Sequence, residues 1–136
     1  MYTEFGQFRS WDDETFVKAF EDLRLEPECF SHADHVRLAF IYLDRFDLVE
    51  AMGRFRSALR AFTAHAGMAD KYHETVTMGL LVLIHERMAV QQPENWDTFA
   101  AANTDLLRWK DGAFFEYYSP DVLDSDLARR VFVLPS

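Results

Sequence analysis

Two short stretches carry the residues best suited to chemistry. Phe30-Ser31-His32-Ala33-Asp34-His35 sets two imidazoles three positions apart, and Lys71-Tyr72-His73-Glu74-Thr75-Val76-Thr77 sets a third beside a carboxylate and three hydroxyls. Side chains three apart lie on one face of a helix, so His32 and His35 can meet one ligand together. Neutral imidazole is the commonest side-chain ligand of zinc and related ions, and it also works as a general acid or base. Helix-opening signals accompany both stretches. Ser31 with Asp34 makes a capping-box start, and Asp70 stands as an N-cap that puts His73 near the third helical position. A helix N-terminus disfavours imidazolium, which keeps the ring in its metal-binding form.

Other elements must bring these residues together. From Asp70 to Val90 the chain is apolar around most of its circumference, through Val76, Met78, Leu80, Leu81, Val82, Leu83 and Ile84. That pattern predicts a central, buried helix. His85, Glu86 and Arg87 interrupt it, and it falls short of the ~20 apolar residues that a membrane span needs. A first helix is expected from Trp11 to about Leu25, opened by Ser10 and closed by Glu26-Pro27. The second runs from Ser31 to about Arg45 with His35, Val36, Ala39 and Leu43 facing inward, and the third opens at Asp47 and closes at Gly67. Beyond the central helix, Asn95 opens a fifth that Gly112 closes. Phe114 to Tyr118 reads as a short extended piece or a helical turn, and Ser119-Pro120 starts a last helix. Residues 1–9 form an irregular leader that packs through Phe5 and Phe8. Strand signals are nearly absent, with no Asn-Gly turn and no sustained period-two alternation. The expectation is a single all-α domain over residues 1–136, a four- to five-helix bundle, largely antiparallel, with a C-terminal helical extension.

In such a bundle the second and fourth helices start at the same end, where the third finishes. His32, His35, His65, His73 and Glu74 are therefore expected to gather there, whereas His85 falls about 18 Å away at ~1.5 Å per residue. Three readings of that end compete. In the first, His32, His35 and His73 hold a divalent transition metal (zinc, iron or manganese), and Glu74 is the fourth ligand or a general base. Glu74, Tyr72 and Thr77 would then be the catalytic groups acting on a small-molecule substrate. The His-Glu-x-x-His order of zinc proteases is missing, since Val76 and Thr77 follow where a second histidine would stand. Cys29 extends the first pair to Cys-x-x-His-x-x-His, as a further ligand or simply a small buried hydrophobe. In the second reading the paired helix N-termini bind an anionic metabolite without metal, as a binding or regulatory domain. In the third the histidines are hydrogen-bonded core residues and Ser31, Asp34 and Asp70 are caps. Burying several imidazoles weighs against the third reading unless each finds a partner.

The Phe30–Ala39 and Lys71–Thr77 stretches resemble blocks in a group of small uncharacterised bacterial proteins that carry Phe-x-His-x-x-His and Tyr-His-Glu-Thr sequences. Asp124-Ser125-Asp126-Leu127-Ala128-Arg129-Arg130 is similar to their C-terminal ends. The resemblance implies that His32, His35, His73 and Glu74 belong together functionally, and it brings no named activity.

Bulk properties exclude several classes. The formal charge of −9 repels phosphate backbones, and Arg54, Arg56 and Arg60 read as a solvated helix face, so nucleic acid is not an expected partner. A composition that is 49% hydrophobic and 15% aromatic predicts a folded domain rather than a disordered chain. Cys29 is the single cysteine, which rules out an internal disulfide and points to a reducing compartment. Met1 to Phe5 shows neither a basic n-region nor an apolar h-region, so the expectation is a cytoplasmic protein with no membrane partner. The aromatic C-terminal stretch offers a homodimer surface, or packs on its own bundle.

Overall fold

Helix starts in this chain are set by side chains that reach forward to cap them. Asp12, Ser31, Asp47, Asn95, Ser119 and Ser125 each accept from a backbone N–H three residues on. Each thereby satisfies a donor that the first helical turn leaves without a partner. The computed structural model describes residues 7–136, and these caps open α1 (Asp13–Glu21), α2 (His32–Arg45), α3 (Leu48–His65), α5 (Trp96–Ala102), α7 (Pro120–Leu123) and α8 (Asp126–Arg130). Between them lie α4 (Glu74–Gln91), α6 (Thr104–Leu107) and single 3-10 turns at Pro27–Cys29, Ala69–Lys71 and Ala113–Glu116. There is no strand among the described residues, and the protein is an all-α bundle. None of the described helices is long and apolar enough to cross a membrane.

The core is built around α2, which packs on α1, α3, α4, α5 and α6. Phe30 meets Phe62 near the end of α3, whereas Tyr42, late in α2, meets Phe55 in the middle of α3. That order makes α2 and α3 antiparallel. Phe55 is fully buried and also contacts the rings of Phe20 and His35. Helix α4 is buried along Leu80, Leu81 and Ile84, but it turns Val82, His85 and Glu86 outward. One face is therefore exposed where the sequence pattern predicted a buried helix, apolar around most of its circumference.

Several expected boundaries move, each for a local reason. α1 is capped by Asp12 rather than Ser10, because the Asp12 carboxylate takes the Thr15 N–H at 2.7 Å. The expected fifth helix breaks at Asn103, whose side chain is buried and donates to the Phe99 carbonyl and to Gln91. Arg87 and Gln91 of α4 donate to its oxygen, and Arg87 grips Asp105 with two parallel bonds of 2.9 Å. A buried amide with all these bonds made is better placed outside a helix than within one. The last helix splits likewise where Ser125 starts a new cap. Of the leader residues, Phe8 is buried as expected, while Phe5 lies outside the described residues.

Candidate functional site

The start of α4 differs from the expectation in a way that decides the fate of the second motif. Ala69–Lys71 forms a 3-10 turn against α3, so Asp70 caps nothing and His73 is itself the N-cap. Its Nδ1 accepts from the Val76 N–H at 3.1 Å, which leaves Nε2 as the donor, and Nε2 donates to the Leu123 carbonyl at 2.7 Å. Both ring nitrogens are thus engaged.

The neighbours of His73 each tie α4 to a different element. Glu74 takes the Arg56 guanidinium of α3 at 2.9 and 3.1 Å and accepts the Tyr72 hydroxyl at 2.6 Å. Arg60 lies over the Tyr72 ring at 5.2 Å. Burial, and then the bond to Glu74, push the Tyr72 hydroxyl up to about 12. Thr75 is fully buried; its hydroxyl donates to the Val131 carbonyl at 2.9 Å and accepts the Val133 N–H at 3.1 Å. Thr77 donates back to the His73 carbonyl at 2.8 Å. The Tyr-His-Glu-Thr block is a clasp that holds α3, α7 and the C-terminal segment to the start of α4.

Replacing Thr75 with valine keeps shape and removes both tail bonds. The expected loss is about 1–2 kcal/mol in urea unfolding, with faster amide exchange at Val133. An unchanged midpoint with unchanged exchange would show that the tail is held by packing alone.

The first motif is used differently. Ser31 and Asp34 form the expected capping box, with the Ser31 N–H to Asp34 at 2.8 Å and the Asp34 N–H to Ser31 at 3.2 Å. His32 Nε2 meets the Leu106 carbonyl of α6 at 3.0 Å, so this nitrogen carries the proton and Nδ1 presents a lone pair. The His32 and His35 rings lie 6.3 Å apart, with Trp109 5.3 Å from His32 and Phe55 5.3 Å from His35. Part of the His35 residue reaches the surface, but its Nε2 is sealed from solvent and has no hydrogen-bond partner. Burial in these surroundings pulls His32 down to about 4 despite the bond to Leu106. It pulls His35 down to about 3, with His32 adding a smaller push. Both rings are neutral at pH 7.

The structure therefore pairs His32 with His35 and joins Tyr72 to Glu74, but turns His73 to α7. His65 and His85 are exposed. The expected four-donor set of His32, His35, His73 and Glu74 does not assemble: Nδ1 of His73 is the acceptor of its own helix cap, and Glu74 is held by Arg56 and Tyr72. Among the described residues no group of three or more His, Cys, Asp or Glu side chains could hold a metal ion. Cys29 bonds weakly to Glu26 at 3.8 Å.

Sequence reasoning passed over Arg37. It is buried in α2, donates to the Phe8 and Trp11 carbonyls at 2.9 and 2.5 Å and to Asp13 at 2.9 Å, and lies 4.6 Å above the Phe16 ring. The available signal was an arginine between the inward-facing Val36 and Leu38.

Searches against family models, curated proteins and solved structures gave no match to this chain.

Proposed function

We propose that the chain is a small-molecule-binding domain whose recognition group is the His35 imidazole, working without a bound metal. One observation carries this reading: His35 Nε2 is sealed from solvent without a partner. An unpaired buried polar atom costs about 1–3 kcal/mol, and that cost is relieved when a guest supplies the missing hydrogen bond. The rings of His32 and Phe55 flank the site.

The chemistry favours an uncharged polar guest over the anionic metabolite that paired helix ends suggest. Neither histidine is protonated near neutral pH, Arg56 is engaged by Glu74, and both helix starts are capped by their own side chains. Tyr72, Glu74 and Thr77 serve in this reading to hold the fold rather than to react. A divalent metal is the second reading, favoured by the bond from His32 Nε2 to a backbone carbonyl. That bond is the usual outer support of a metal-ligating imidazole and leaves Nδ1 with its lone pair. Two nitrogens are a partial ligand set, so exogenous ligands would have to complete it.

Native mass spectrometry with elemental analysis, on untagged protein and on His35→Phe, separates these readings. The expected result is a stoichiometric organic adduct on the native protein that is lost in the variant. A transition metal lost in the variant would replace the first reading by the second. A bare mass in both proteins, with His35→Phe more stable by over ~1 kcal/mol, would make His35 a strained core residue and end both.

A further inference from the structure

A separate groove runs along the outer face of α4, where the Ala113–Glu116 turn and the C-terminal segment cover it. It encloses about 270 Å³ and is lined by Phe114, Tyr117, Tyr118 and Phe132, with Glu86 as its charged group. Gly79 makes this shape, because a Cβ there would stand 2.8 Å from Phe114 Cε1. Phe114 in turn stacks on Tyr118 at 4.9 Å, and the Tyr118 hydroxyl bonds to the Val133 carbonyl, so two of the four rings are fixed. Tyr117 and Phe132 are 42% and 43% exposed.

Charge distinguishes this groove from an ordinary apolar cleft. Among the described residues no cation pairs with Glu86 and no cationic side chain lines the groove; the adjacent Arg87 is bonded to Asp105 and Asn103, and its charge reaches only the Tyr117 side, where Glu116 offsets it. Aromatic faces attract cations, most strongly those with little hydration to lose. An anion would be repelled by Glu86 and by the net charge of −9, and a bare metal ion would find one carboxylate and no further ligands. We propose that the groove binds an organic ammonium ion, its alkyl groups against the exposed rings of Tyr117 and Phe132 and its charge facing Glu86. This site is independent of His35.

The test titrates choline and its uncharged isostere 3,3-dimethylbutan-1-ol into the full chain, followed by the amide shifts of Gly79 and Val82. Choline is expected to bind at least ~10-fold more tightly than the alcohol, by cation–π and charge attraction together. Glu86→Gln should shrink that preference to below ~3-fold, and Tyr117→Leu or Phe132→Leu should each weaken choline ~3–10-fold while keeping apolar bulk. Those side chains are surface-exposed, so the variants should fold, and His35→Phe should leave choline binding unchanged. Equal or tighter binding of the alcohol overturns the proposal in favour of a plain apolar cleft. Absence of saturable shifts with both compounds also overturns it.

Discussion

Lowering the pH from 7.5 to 5 is expected to remove about 3–4 kcal/mol of stability through His32 and His35 alone. Their folded-state values lie at about 4 and about 3, below the unfolded value of 6.5. Between pH 6.5 and roughly 4 the unfolded chain binds protons that the folded chain refuses, so stability rises with pH there. The contribution is complete above about pH 6.5 and fades by ~1.4 kcal/mol per pH unit for each ring as the solution is acidified. His35→Phe keeps an aromatic ring and removes one titration, so its stability should fall about half as steeply over the same range. Urea unfolding at several pH values reads both slopes. Superimposable slopes for the two proteins would mean that His35 is protonated without difficulty in the folded state.

Arg37→Met is expected to cost about 3 kcal/mol. The substitution keeps the apolar stem and removes the guanidinium that joins α2 to the Phe8 and Trp11 carbonyls and to Asp13. Breaking a buried charged pair from one side leaves its acceptors without partners, which commonly costs ~3–5 kcal/mol. The lower end applies because Asp13 is about half exposed and can return to water. Arg37→Lys should recover only part of the loss, since an ammonium cannot span three acceptors as the planar fork does. Urea unfolding measures the cost, and limited proteolysis within Gln7–Asp12 should accelerate in the same order. A loss under ~1 kcal/mol for Arg37→Met would show that Phe8 and Phe16 hold that segment by packing.

Capping chemistry is local, so most helix starts were legible in the sequence. Ser31 with Asp34, Asp47, Asn95 and Ser119 all cap where the residue types predicted. Gly67 adopts the positive φ expected just beyond α3. Errors arose where a distant partner outweighs local preference. The break at Asn103 depends on Arg87 and Gln91, which come 16 and 12 residues earlier on another helix. The cap by His73 depends on a ring orientation fixed by Leu123, 50 residues away. The candidate site divides along the same line. The adjacency of His32 and His35 follows from helical spacing within α2. The placement of His73 follows from how the 3-10 turn sets the start of α4 against α3 and the C-terminal segment, and no pattern of spacing encodes that.

The ties made at the start of α4 also bear on the order of folding. Those to Leu123 and Val133 join positions 50 and 58 residues apart, so they reward the chain only after long loops have closed. Such contacts are expected to form in the last stage of assembly, after α2 and α3 have found each other through a short turn. Interactions absent from the transition state govern the rate of unfolding and leave the rate of refolding nearly unchanged. The tail bonds of Thr75 therefore set how long the native state lasts: losing ~1.4 kcal/mol there would shorten its lifetime about tenfold.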